Sequence, residues 1–194
     1  MGLTLLTGPT VLPLSLAEVK SHLRVDTTDD EEYIQSLISV VAADCEQWLN
    51  RCLITQTWVE TFLAFPVQYD FLELEKSPLQ SVTSVQYVDT DGVTQTFSAD
   101  DYEIDLAGTP GSIYLGYGKS FPSTRSVRDA VTVTYVAGYG DAETDVPVGI
   151  RHGMKIMLSH LYENREPVVT GTIVTRIPMS FESLLGPYRD ERFR

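Results

Sequence analysis

The sequence predicts an α+β fold: a small helical core with an inserted antiparallel β block and an extended C-terminal arm. Three observations carry this. Residues 28–52 repeat apolar side chains at steps of three and four, the period of a helix with one buried face. Residues 54–139 break into short β-branched and aromatic runs punctuated by Gly, Pro and Asp. Helical spacing then returns over 147–165, so helices flank the strands on both sides in the chain.

The first 14 residues read as irregular, with Pro9 and Pro13 as breakers. A helix then starts at Ser15, which forms a capping box with Glu18, and Leu16, Val19 and Leu23 give it a short apolar face ending near Arg24. The long helix follows over Thr28–Cys52. Ile34, Leu37, Ile38, Val41, Cys45, Trp48, Leu49 and Cys52 form its stripe, Thr28 and Glu31 a second capping box, and Asp29–Glu32 suit the positive end of the helix dipole. So short a link makes 15–52 a helical hairpin.

Strands are expected over 54–66, 71–76, 82–88, 93–97, 102–106, 112–115 and 131–139. Asp89-Thr90-Asp91-Gly92 is a turn joining two of them. The aromatic side chains of this block, from Trp58 to Tyr114, read as core and interface packing, because base-stacking platforms sit in basic grooves. In the 147–165 helix, Asp145 caps, Pro147 takes the first turn, and Ile150, Met154, Met157, Leu158 and Leu161 face inward. Beyond Pro167 the chain is Thr- and Val-rich over 168–177, either strand or extended arm, with Ser180 capping a short helix. The expected domains are therefore 1–166, with its β insertion at 54–139, and an arm at 167–194.

Composition narrows the function. The chain has 194 residues, 27 acidic against 14 basic, and a net charge of −13. That argues against gripping duplex DNA or anionic lipid, both of which need clustered cations. No apolar run is long enough to span a membrane, and the N-terminus lacks the basic start of a signal peptide. Cys45 and Cys52, the only cysteines, lie too far apart on one helix to bridge and read as buried thiols. GYGKS at 116–120 lacks the upstream glycine of a phosphate loop, and DTTDDEE at 26–32 lacks the glycine and terminal glutamate of a calcium loop. His22, His152 and His160 fall in no catalytic pattern. We expect no catalytic residue, metal or cofactor.

The arm differs from the rest. Arg176, Phe181, Leu184, Leu185, Tyr188, Arg189, Arg192 and Phe193 mix aromatic, aliphatic and guanidinium groups, the types that protein interfaces favour. They are the candidate partner-binding residues.

The ordered series LSLAEVKSHLRVD, DDEEYIQSLISVVAADCEQWLNRCLITQTW, PLQSVTSVQYVDTDG, YEID, VTVTYVAGYGD and VPVGIRHGMKIMLSHLYENRE resembles the head–tail connector (adaptor) proteins of long-tailed bacteriophages and related prophages. The resemblance spans roughly residues 14–166, with LLGPYR near the end. It implies a structural virion protein without catalytic residues. It implies a twelvefold homo-oligomeric ring under the portal, assembled in the host cytoplasm and located in the virion neck. The ring would join the portal protein to stopper or tail-completion proteins while genomic DNA passes through as cargo, and residues 167–194 would grip the portal. The alternatives are another neck ring protein, a stopper or tail-completion protein, or an enzyme of unrecognised type.

Overall fold

The computed structural model describes residues 2–164 and 179–190. The chain forms two compact units, one of residues 1–9 and 55–139, the other of 10–54 and 140–194. The first is the β block and the second holds the helices, so the inserted β block and the helical core of the expected α+β fold are both present.

In the β unit, five strands form one antiparallel sheet: β1 (Gly2–Thr7), β2 (Gln56–Phe62), β8 (Val131–Ala137), β4 (Leu79–Val88) and β5 (Thr94–Thr96), in that spatial order. A second antiparallel sheet has the order β3 (Phe71–Glu73), β7 (Ser112–Leu115), β6 (Tyr102–Asp105). β8 is central because every second residue is apolar and its other residues are Thr and Val. Val131, Val133, Tyr135 and Ala137 are all buried. Across from them, Gln56, Glu60 and Phe62 of β2 are buried too.

Glu60 is a carboxylate in this core and is fully buried. Its Oε2 accepts hydrogen bonds from the Tyr135 hydroxyl at 3.0 Å and the Glu75 amide at 2.9 Å. The same hydroxyl accepts from the Lys76 amide at 3.1 Å. A buried carboxyl group is tolerated only with such partners, so this trio pins the 74–77 segment to the sheet. A cluster of Phe65, Phe97 and Phe121, with Phe65 stacked on Phe121 at 4.7 Å, closes one end of the unit. The Asp89–Gly92 turn forms as expected: Asp89 Oδ1 accepts from the amides of Asp91 and Val93, and Gly92 takes a φ of +88° that disfavours a side chain.

In the helical unit, α1 (Leu16–Leu23) starts on Ser15, whose hydroxyl accepts from the Glu18 amide at 3.3 Å. The Glu18 carboxylate reaches across instead to α3 (Val148–Glu163), pairing with Arg151 at 2.5 Å and Lys155 at 2.8 Å. α2 (Glu31–Leu49) supplies the core face: Ile34, Ile38, Val41, Cys45 and Leu49 are each 1% exposed or less, as are Ile150, Met154 and Leu158 of α3.

Several boundaries differ from the sequence reading. Residues 2–7 are not irregular but an edge strand, because pairing with β2 supplies backbone bonds that no local pattern reveals. Thr28 does not cap α2. Asp30 occupies that position without a side-chain cap, its carboxylate accepting from the Tyr162 hydroxyl at 2.6 Å, while Glu31 pairs with Lys20. α2 stops at Leu49, since Asn50 turns left-handed and the Glu46 carboxylate accepts from the Leu53 amide. Cys52 therefore lies beyond the helix, and both thiols are free and buried. Pro147 caps α3 in place of Asp145, whose carboxylate accepts from the Ala142 amide.

Candidate docking surface

The candidate partner-binding residues fall into two groups. Arg176, Arg192 and Phe193 lie outside the described residues. The others lie on α4 (Met179–Leu185) and the 3₁₀ turn Gly186–Tyr188, or immediately after it. This segment does not stand away from its own subunit. It packs on the helical unit, which corrects the expectation of a free arm for residues 179–190.

The reason is complementarity that the linear sequence hides. Phe181 is 2% exposed and Leu185 fully buried. Phe181 meets the Trp48 ring edge-on at 6.0 Å between centroids, and the Arg189 guanidinium lies 4.8 Å above the same ring. Such cation–π and edge-to-face geometries add roughly 0.5–1.5 kcal/mol each beyond area burial. α3 admits the segment through Gly149 and Gly153, one helical turn apart. A Cβ on Gly153 would stand 2.2 Å from Leu185 Cδ1, and one on Gly149 would stand 3.1 Å from the Tyr188 ring. The Asp190 amide then donates to the Leu49 carbonyl at 2.9 Å, satisfying one of the open carbonyls at the end of α2.

Phe181 and Leu185 are thus consumed inside the chain. Leu184, Tyr188 and Arg189 are only half-buried. Beside them, Asp44, Gln47, Trp48, Met157 and Phe181 line a groove of about 450 Å³. Trp48, Met157 and Phe181 make its lining mostly apolar, and Asp44 is its one acidic residue. The signal that could have foretold the docking was Gly149 and Gly153, spaced by four within a helix whose other inward positions are large.

The remaining polar groups build structure. Burial pushes the Glu18 carboxyl up, but hydrogen bonds from Lys155 and Arg151 outweigh it and hold the group below its usual range. His22 meets His152 edge-on at 6.3 Å, and its ring is held below the usual histidine range by burial, then by Lys155 and His152. Burial, aided by Asp44 and Glu46, pushes the Cys45 thiol up to about 12. The 116–120 segment is a turn through Gly118 at φ +74° with no helix after it, so it offers no phosphate cradle. Among the described residues, no three or more His, Cys, Asp or Glu gather as a metal site, and no helix is long and apolar enough to cross a membrane.

Comparison with solved structures finds chains of the same fold. A chain of the virion of a native gene transfer agent (GTA) particle superposes with a TM-score of 0.80 at 21% identity, covering 100% of this chain and 98% of the other. A chain from the neck of an empty GTA particle, computed with C6 symmetry, gives 0.79 at the same identity and coverage. A chain from the neck of the native particle, computed with C12 symmetry, gives 0.71, again at 21% identity and with the same coverage. No curated protein sequence matches. The head completion protein family model matches residues 14–189, from the turn before α1 to the arginine over Trp48. The chain therefore belongs to the head completion protein family.

Proposed function

We propose that this protein is a structural subunit of the virion neck, a head–tail adaptor. It assembles as a ring under the portal vertex of a filled head and joins that head to stopper or tail proteins. The observation that carries this reading is the family match over residues 14–189, which takes in residues 55–139 of the first unit and most of the second. The solved neck chains of the same fold, in particles treated with C6 and C12 symmetry, support a ring. Family and fold relatives are neck components, which supports structural work rather than catalysis.

The charge fits this role. A wall with a net −13 per subunit does not hold DNA by counterion release, so packaged DNA slides past it. Portal contact falls to the C-terminal segment: Arg189 over Trp48, the half-buried Leu184 and Tyr188, and Arg176, Arg192 and Phe193 in the flanking sequence. Genomic DNA is cargo rather than ligand.

The test is complementation. Particles made without this protein should be filled heads that lack tails, and adding the purified chain should restore tail joining, with a ring density under the portal in electron micrographs. Heads that join tails normally without the protein would overturn the adaptor reading. A chain lacking 179–194 that restores joining as well as the full chain would overturn the portal assignment alone.

A further inference from the structure

A ring of identical subunits needs a head-to-tail contact, in which two different surfaces of one copy meet across each joint. We propose that the joint is made by the two open edges of the five-stranded sheet, β1 of one copy pairing beside the β4–β5 edge of the next. This rests on the ring reading above.

β1 is a six-residue edge strand, and among the described residues it is bonded only to β2. At about 3.3 Å per residue it offers roughly 20 Å of backbone donors and acceptors along its outer side. Natural edge strands are guarded by charge, proline, bulges or shortness, and an unguarded edge is a pairing template. Gly2–Thr7 has no charge and no proline, and all of its residues but Leu3 are exposed. Its bulge falls between Leu5 and Thr7, at the end of the strand, and leaves Gly2–Leu5 in regular register.

The opposite edge shares the lack of charge but not the regular register, since its ladder to β8 shifts between Leu79 and Ser81 and again between Val82 and Ser84. β5 covers only Gln86–Val88 of the ten-residue β4, so Leu79–Ser84 extends past it. That open length is six residues, the length of β1. Strands alternate in direction through the sheet, β1, β8 and β5 one way and β2 and β4 the other. A sheet continued from copy to copy therefore sets the next β1 antiparallel to this part of β4, the pairing that bonds best.

Charge identifies the occupant as a second copy. The chain carries 41 charged side chains, yet none falls in residues 2–17, 77–88 or 92–98. Those stretches contain both edges of the sheet. Copies that each carry −13 repel, and uncharged edges are where they approach at least cost. A basic partner would be recognised by a row of acids along the strands, and β1, β4 and β5 carry none; Asp129 beside Gly2 and Asp89 in the β4–β5 turn are already bonded to Thr61 and Gln95. β1 paired with β1 of another copy would give a two-fold dimer, which closes on itself and cannot continue a ring.

The experiment uses full-length chain added to tail-less, portal-bearing heads, with ring occupancy read by electron microscopy. Thr4 on β1 and Thr83 on β4 are both exposed. Thr4→Glu should lower ring occupancy at least tenfold, as should Thr83→Glu, with unchanged melting temperatures. Thr4→Glu combined with Thr83→Lys should recover most of it, because every joint then sets a carboxylate near an ammonium. Normal rings from folded Thr4→Glu would overturn the edge joint, as would a double variant no better than Thr4→Glu alone. A two-fold dimer lost in Thr4→Glu but indifferent to Thr83 would overturn the choice of the opposite edge. If the wild-type chain forms no ring on the heads, the ring reading itself falls.

Discussion

The docking of α4 on its own helical unit can be tested through Leu185. Its side chain is fully buried against the backbone of α3 at Gly153. Leu185→Ala removes three carbons from a site whose α3 neighbours, Ile150 and Met154, are themselves fully buried and have little room to collapse inward. Leucine-to-alanine changes at such sites cost about 3–5 kcal/mol. For a chain of this length each kcal/mol lowers the melting temperature by roughly 2–4 °C, so a fall of about 6 °C or more is expected. If the segment's whole docking energy is smaller than that cost, α4 leaves as a unit and the fall is smaller. Trp48 then loses Phe181 and Arg189, and its emission shifts to the red. The measurement is made in a Trp58→Phe background, so that Trp48 alone reports. That background costs little in hydrogen bonding, because the Trp58 indole nitrogen is buried without a partner. A Leu185→Ala protein with unchanged melting temperature and unchanged Trp48 emission would refute the docked segment and return residues 179–190 to a free arm.

Three further outcomes follow from the same structure. Tyr135→Phe should destabilise the β unit by about 1–3 kcal/mol in urea unfolding, because buried Glu60 loses a donor and the Lys76 amide an acceptor; an unchanged midpoint would contradict the trio. The Glu18 carboxyl is depressed in the folded state, so its contribution is complete above the unfolded value of about 4.5 and is lost as pH falls through the lower folded value. Wild type should therefore lose melting temperature with acid more steeply than Glu18→Gln, and parallel curves would argue against the Arg151 and Lys155 pairing. Cys45 and Cys52 should both titrate with a thiol reagent in denaturant without reductant, while Cys45 in the folded protein stays unreactive at pH 8, its thiol pushed up to about 12; a bridge between them or rapid native labelling would contradict this.

Elements whose physics is local were legible in the amino-acid pattern. α2 was legible because its stripe repeats over 19 residues, β8 because its alternation is uninterrupted, and the Asp89–Gly92 turn because aspartate and glycine have few other uses at that spacing. Charge and composition also narrowed the function, since they require no coordinates. What depended on partners distant in the chain was decided only in three dimensions. β1 exists because β2 pairs with it, and residues 2–7 have no periodicity of their own to announce a strand. Thr28 satisfied a local capping rule, yet Glu31 went to Lys20 and the helix began after Asp30 without a side-chain cap, because ion pairs across the helical hairpin compete with caps. The C-terminal residues had the composition of an interface, and composition is the same whether the surface they meet belongs to another chain or to their own. Gly149, Gly153 and Trp48 supply that surface within the chain for Phe181 and Leu185. The shape of a notch is a property of several side chains at once, and no single stretch of sequence contains it.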